Sequence, residues 1–301
     1  MKVSPKVILI TGASTGFGRD TAETLARAGH AVYASMRDLE GRNRPHAEAL
    51  RRLATADHLN LTAIELDVTS TLSVDRAIQT ILAEPGNQID VIVNNAGIAS
   101  AGVSESFTPE QVRDLFEVNV FGVQRVLRAT LPALRAQGDG LVVNIGSILG
   151  RVTFPFFGLY GASKYAIEAL TDSYRYELRP LGVDVVLVQP SAYPTNMYAS
   201  AQQPANAERG AEYGETGAIP GKMFQTFMEI FASESAPKPH DVAEAIARLV
   251  TTAKGQRPDR VVVGQSFGAD AVNSAVAPVQ RQVVEGLGLG ALASAFVVQT
   301  P

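Results

Sequence analysis

Short runs of consecutive apolar residues alternate with longer amphipathic stretches along most of the chain. Val7–Ile10 is continuously apolar and rich in β-branched residues, which predicts a strand buried on both faces. Thr21–Ala28 has helical spacing, and Gly29 is placed to end that helix. The pattern then predicts strands over Ala31–Ser35 and Leu61–Leu66, a helix over Val74–Ala83 and a fourth strand over Asp90–Val93. A long helix is predicted from Pro109, a residue suited to a first helical turn, to Leu134. Leu141–Ile145 reads as strand five, a helix starts near Tyr160, and Val183–Val188 reads as strand six. Asp241–Thr252 is predicted helical, and Arg260–Val263 is predicted to be strand seven.

Strands that alternate with helices in this way need crossover connections, so the pattern predicts an α/β fold. Its architecture is a doubly wound parallel sheet of about seven strands with helices on both faces. Beyond Pro194 the alternation breaks. Residues 196–238 are rich in Ala, Gly, Gln and Glu and end in the apolar string Met223, Phe224, Phe227, Met228 and Phe231. They are expected to form a substrate-loop insertion in one catalytic domain spanning 1–301, with 269–301 as a C-terminal tail. No internal repeat is visible.

Composition narrows the chemistry. The 301 residues hold no Cys, which excludes disulfides, thiolate metal sites and cysteine nucleophiles. The four His, at 30, 46, 58 and 240, show no metal-ligand helical spacing. A net charge of -4 gives no electrostatic footprint for nucleic acid. The first apolar run is too short for a signal sequence, and Leu287–Val298 falls short of the ~20 residues a membrane span needs. The expectation is a soluble, cytoplasmic protein with no nucleic-acid partner.

Thr11-Gly12-Ala13-Ser14-Thr15-Gly16-Phe17-Gly18 follows the first strand and opens the first helix. Gly12 permits a tight turn, Gly16 lets backbone approach a pyrophosphate and Gly18 permits close packing, so Ser14, Thr15 and Phe17 also fall at the anion. A dinucleotide-binding, Rossmann-type fold follows from that placement. NAD sites usually carry an acid about 20 residues later, for the ribose hydroxyls. Here Ala34-Ser35-Met36-Arg37 ends strand two. Arg37 is placed to pair with a 2′-phosphate and Ser14 is a second donor, so NADP(H) is preferred over NAD(H). A solvated loop arginine is the competing reading of Arg37.

Tyr160 and Lys164 stand one helical turn apart on one face. A neighbouring ammonium favours phenolate and suits Tyr160 to acid–base work. Ser147, just after strand five, can hydrogen-bond a carbonyl or alkoxide.

Together these motifs resemble the short-chain dehydrogenase/reductase family, in its compact single-domain form. The matching residues are Gly12, Gly16 and Gly18, Asp67-Val68, Asn94-Asn95-Ala96-Gly97, Asn119, Ser147, Tyr160 and Lys164, covering roughly residues 5 to 195. The resemblance implies that Tyr160 is the general acid or base, that Ser147 polarises the substrate oxygen and that Lys164 binds the nicotinamide ribose and lowers the Tyr160 pKa. Asn119 would hold a water in a proton relay. Asp67 and Val68 would flank the adenine, and Asn94, Ala96 and Gly97 would line the cofactor floor. Pro190, Ser191, Tyr193 and Thr195 would border the nicotinamide, although Ser191 stands where the family commonly has glycine. A homo-oligomer, dimer or tetramer, is also implied.

Leu149, Phe154, Phe157, Tyr193, Met197, Tyr198, Phe224 and Phe227 are the candidate substrate residues. Met and aromatics suit a small hydrophobic ketone or aldehyde and its alcohol. The same residues would equally serve a core or a subunit interface. The expected activity is NADP-dependent carbonyl reduction or alcohol oxidation. The alternatives are a nucleotide-sensing regulator on the same fold and a steroid- or retinoid-type dehydrogenase using NAD. Nucleotide-sugar epimerases are disfavoured, because residues 196–231 suggest no polar sugar-diphosphate pocket.

Overall fold

The computed structural model describes residues 4–84, 86 and 88–293. Its sheet is built from β1 Val7–Ile10, β2 Ala31–Met36, β3 Leu61–Glu65, β4 Val91–Asn94, β5 Gly140–Ile145, β6 Val183–Pro190 and β7 Arg260–Val263. The order is β3-β2-β1-β4-β5-β6-β7 and the pairings are parallel. The helices are α1 Gly16–Arg27, α2 Arg44–Ala56, α3 Thr71–Ala83, α4 Pro109–Phe116, α5 Gly122–Gln137 and α6 Gly158–Leu178. After β6 come the short α7 Asn196–Ala199 and α8 Ala207–Ala211, then α9 Ile219–Ala232, α10 His240–Thr251, α11 Ala269–Gly286 and α12 Gly290–Ala293.

Successive strand side chains point to opposite faces, so β1 feeds two cores. Ile8 and Ile10 join Leu25 of α1, Leu50 of α2 and Ile246 of α10 on one face. Leu9 joins Ile78 of α3, Leu127 of α5 and Ile167 of α6 on the other. Burial on both faces is why β1 reads as a continuous apolar run rather than an alternating one. The strand order reverses beside β1, which pairs with both β2 and β4. In a doubly wound sheet that reversal opens a crevice at the carboxyl ends of the strands.

Residues 269–286 of the expected tail form α11, and 294–301 of it lie outside the described residues. Three elements nearer the site also differ from the sequence expectation. Helix α1 begins at Gly16, five residues before the predicted Thr21, because the glycine loop itself winds into its first turn. Helix α2 has no counterpart in the prediction. Its only fully buried side chains are Ala47 and Leu50, too few to write a strong apolar stripe. The helix predicted over 109–134 is interrupted by a π-turn at Glu117–Phe121, which buries Asn119. A π-turn adds a residue to the turn and re-aims the side chains after it, commonly at functional sites.

Candidate active site

At the reversal point the glycine loop meets the end of β4. Gly12 has φ +68°, and a Cβ there would lie 2.8 Å from the Ala96 Cα, so a side chain is excluded on both counts. Thr11 Oγ1 accepts from the Asn95 and Ala96 amides at 3.0 Å each. Asn95 Nδ2 donates back to the Thr11 carbonyl at 2.8 Å and the Gly12 carbonyl at 3.0 Å. These bonds hold the loop rigidly over the N-terminus of α1. Thr15 caps that helix without a side-chain bond, and its first turn carries no acid. The leading amides are thus left for an external anion.

A cavity of about 220 Å³ runs outward from this point. Gly12, Ser14, Thr15, Gly16 and Phe17 line it, with Arg37 at the end of β2, Asp67 and Val68 after β3, and Ala96 and Gly97 after β4. Gly18 lies behind the loop, where a Cβ would meet Asn95 Nδ2. Asn94, expected at the floor, turns into the sheet instead and donates to Asn144 at 2.8 Å. Alternation along β4 gives the inward-facing position to Asn94 and the cavity-facing one to Asn95.

Two acids near Arg37 are committed elsewhere. Asp38 accepts from the Arg42 amide at 2.8 Å. Glu65 accepts from the Asp38 amide at 2.6 Å and the Leu39 amide at 2.7 Å. Arg37 and Arg42 both line the cavity, and neither guanidinium is ion-paired among the described residues. Arg42 was not singled out from sequence, since only the turn over 38–43 carries it round to face Arg37.

A second cavity, about 80 Å³, adjoins the first and shares Phe17, Asn95, Thr195 and Met197 with it. Ser147, Tyr160 and Lys164 line this one. The Ser147 hydroxyl accepts from the Leu149 amide at 3.1 Å, which fixes it at the start of the 3₁₀ turn Ile148–Gly150. Lys164 Nζ donates to the Ile145 carbonyl at 2.9 Å and stands 5.6 Å from the centre of the Tyr160 ring. Burial lowers the Lys164 ammonium to about 8.

The Tyr160 phenol is pushed well above its ordinary value, first by burial and then by the nearby Tyr198, with a Ser147 hydrogen bond opposing both. The resemblance implies that Lys164 lowers this pKa. Lys164 is not among the causes of the upward shift, in which burial is the largest.

Asn119 is held in the π-turn with both ends of its amide committed. Its Oδ1 accepts from the Ile98 amide at 2.9 Å, and its Nδ2 donates to the Ile98 carbonyl at 2.9 Å and to Ser163 at 3.0 Å. Ser163 in turn donates to the Tyr160 carbonyl at 2.7 Å. Asn119 therefore braces the start of α6 against the loop after β4.

After β6, Pro190, Ser191 and Tyr193 line the smaller cavity and Thr195 lines both. Ser191 does not adopt a left-handed backbone, and its amide donates to the Val263 carbonyl at 2.9 Å. The glycine this corner requires is Gly264, at φ +85°, where a Cβ would lie 2.7 Å from the Tyr193 hydroxyl. The Tyr193 ring packs edge-on against Phe17 at 5.4 Å, and its buried hydroxyl has no partner.

Leu149, Phe154, Phe157, Met197, Tyr198 and Phe227 complete the smaller cavity. Phe227 brings α9 over it by packing against Phe157 at 6.3 Å and Tyr198 at 5.7 Å. Phe224, expected in the pocket, does not line it and is 43% exposed, because it lies one turn nearer the start of α9. Behind the site, Glu168 joins Arg151, Arg260 and Gln189. Sequence reasoning missed that cluster, since its members are scattered across four elements.

Among the described residues no helix is long and apolar enough to cross a membrane, and no cluster of His, Cys, Asp or Glu could hold a metal. The family model "short chain dehydrogenase" matches residues 6–206. A 3-ketodihydrosphingosine reductase from Bacteroides thetaiotaomicron is 30% identical over 86% of this chain and 96% of its own length. The crystal structure of a short-chain dehydrogenase from Streptomyces avermitilis superposes with a TM-score of 0.75 at 33% identity, covering 96% of this chain and 98% of that one. An alcohol dehydrogenase from the archaeon Thermococcus sibiricus, complexed with 5-hydroxy-NADP, matches with a TM-score of 0.67 at 27% identity, covering 86% of this chain and 96% of that one. Solved neighbours of this fold are described in complex with NADP and with NAD. The chain belongs to the short-chain dehydrogenase/reductase family, oxidoreductases that act on CH–OH and carbonyl groups.

Proposed function

We propose that the protein is an NADP-dependent carbonyl reductase that interconverts a hydrophobic ketone or aldehyde and its alcohol. The observation that carries this reading is the placement of Ser147, Tyr160 and Lys164 in an apolar cavity that opens onto an anion-ready helix N-terminus. The uncapped amides at α1 and the side-chain-free approach at Gly12 fit a dinucleotide pyrophosphate. Arg37 and Arg42 fit a 2′-phosphate, and Asp38 and Glu65 beside them accept from backbone amides.

When bound, a nicotinamide supplies or accepts the hydride. The chain's own residues do the rest. Ser147 hydrogen-bonds the substrate oxygen and holds it in line with the Tyr160 hydroxyl. Tyr160, neutral because it is buried, donates its proton to the oxygen as negative charge develops there. Lys164 keeps a positive charge behind the phenol and stabilises it as the proton leaves. Phe154, Phe157, Met197 and Phe227 exclude water and bind the hydrophobic body of the substrate. The ketone reductase and the alcohol dehydrogenase among the similar proteins support this class of reaction.

The test is oxidation of NADPH against a panel of hydrophobic ketones, with NADH in parallel and Tyr160→Phe as the control. The expected outcome is turnover that prefers NADPH and falls at least ~1,000-fold in the variant while NADPH affinity is kept. Tight NADPH binding with no turnover across the panel would overturn the enzyme reading in favour of a nucleotide sensor.

A further inference from the structure

Apart from Lys164, no charged side chain lines the smaller cavity. The Lys164 ammonium is drawn back onto the Ile145 carbonyl, at 2.9 Å, behind the Tyr160 ring and away from the substrate body. A substrate carboxylate would therefore enter without a cation to pair with, at a desolvation cost such a pocket cannot offset. Polar groups are nevertheless present on the substrate side. Ser147 and Tyr160 serve the reacting oxygen. Ser191, Tyr193 and Thr195 stand on the segment assigned above to the cofactor, with the Tyr193 hydroxyl turned to Gly264, and the Asn95 amide is committed to the glycine loop. That leaves the Tyr198 hydroxyl.

Tyr198 is a half-buried residue of α7, and its ring is fixed by two residues of α9. Phe227 lies 5.7 Å away and Phe231 lies 5.2 Å away edge-on, while Phe227 also packs on Phe157. The ring cannot swing aside without breaking this cluster. The described residues offer its hydroxyl no hydrogen bond. Its phenol lines the same cavity as the Tyr160 phenol, close enough to influence its ionisation. Burial pushes Tyr198 itself up to about 12, so it remains a neutral donor across physiological pH. As a plain hydrophobic wall, a phenylalanine would do the same packing without a hydroxyl to desolvate.

We infer that Tyr198 determines specificity by donating a hydrogen bond to a second, uncharged oxygen of the substrate, set close to the reacting carbonyl. The inference rests on the carbonyl-reductase reading above. The Tyr198 and Tyr160 phenols line one small cavity, so the two oxygens they contact lie within a few atoms of each other. The substrate class is thus an oxygenated ketone, such as a β-hydroxy ketone with an apolar tail, rather than a keto acid or a bare alkyl ketone.

Three ketones with the same tail test this: octan-3-one, 1-hydroxyoctan-3-one and 3-oxooctanoate. Wild type should show kcat/KM in the order hydroxy ketone, plain ketone, keto acid. Tyr198→Phe should lower kcat/KM for the hydroxy ketone roughly tenfold more than for octan-3-one, about the worth of one hydrogen bond. Equal losses for the two ketones, or a wild type that favours 3-oxooctanoate, would overturn the inference and leave the reductase reading standing. Calorimetric binding of octan-3-one and of 1-methoxyoctan-3-one, which keeps the second oxygen but has no alcohol to oxidise, to the protein saturated with NADP⁺ separates the two. Discrimination there that disappears in Tyr198→Phe, without catalysis in the NADPH assay, would uphold the Tyr198 contact and refute the reductase reading. Absence of discrimination in binding would overturn the contact.

Discussion

The Glu168 carboxylate lies 3.0 Å from the Arg151 guanidinium, which ties the catalytic helix to the turn that carries Ser147. Glu168 stands one helical turn beyond Lys164 and is 4% exposed. The same carboxylate oxygen lies 3.0 Å from Arg260 of β7, and the other accepts from Gln189, next to Pro190. Gln189 in turn accepts from Asn273 of α11 at 2.7 Å. One buried acid thus braces the segments that hold Ser147, Lys164 and the loop after β6.

Glu168→Gln removes the charge but keeps the shape. Two half-buried guanidiniums then face a neutral amide; with Asp172 still beside Arg260, and with burial already opposing the Glu168 charge, the loss is about 2 kcal/mol. Thermal unfolding should show a Tm lower by roughly 3–4 °C. kcat should fall about tenfold more than the fraction folded accounts for, because Ser147 loses its brace. An unchanged kcat in the folded fraction would limit Glu168 to stability alone.

Arg37→Asp reverses the charge at the outer end of the large cavity. Loss of a charge-assisted contact to the 2′-phosphate, with repulsion added, should reduce the NADPH/NADH ratio of kcat/KM by roughly a hundredfold. A ratio that stays within a factor of three would assign phosphate recognition to Arg42 or Ser14.

Lys164 concerns stability as well as chemistry. Its folded pKa, about 8, lies below the unfolded 10.5, so the folded state binds its proton less well. That difference penalises folding by roughly 3 kcal/mol below pH 8, and the penalty fades as the pH rises through 8 towards 10.5. Lys164→Met escapes the penalty but leaves the Ile145 carbonyl unpaired, for a net gain of about 1 kcal/mol at pH 7. The cofactor-free variant should melt roughly 2 °C above wild type at pH 7, lose that margin by pH 9.5, and be inactive at both. A variant less stable than wild type at pH 7 would contradict the assignment.

Gly264→Ala should destabilise by about 2–3 kcal/mol, from a left-handed backbone and a clash with the Tyr193 hydroxyl. Tyr193→Phe by itself should cost nothing measurable, since the hydroxyl it deletes is buried without a partner. In the double variant part of the Gly264→Ala loss should return, read by denaturant unfolding. Strictly additive losses would place the strain elsewhere.

Much of this was legible in the chain. The inner strands β1, β4, β5 and β6 announced themselves because they are buried on both faces, and burial of that kind writes a nearly uninterrupted apolar run. The glycine loop, Ser147, Tyr160 and Lys164 were legible because local spacing fixes their chemistry: a strand-to-helix turn needs glycine, and a four-residue step stacks two side chains on one helix face. Helix α2 was not, since only Ala47 and Leu50 of its thirteen residues are fully buried. The π-turn at Asn119 was not, because no side-chain period distinguishes it from the helix on either side.

What tertiary structure alone decided was the company each residue keeps. Alternation at the end of β4 gave Asn95, not Asn94, to the cavity. The position of α9 put Phe227 over the pocket and left Phe224 outside it. The upward shift of the Tyr160 pKa comes first from burial, a property of the whole fold, and then from Tyr198, 38 residues away in sequence. Glu168 and Arg151, Gln189 and Arg260 meet only because four elements converge behind the sheet. Contacts between residues so far apart in sequence leave no periodic trace in it, whereas the turns and helix faces that hold the reacting groups are local and do.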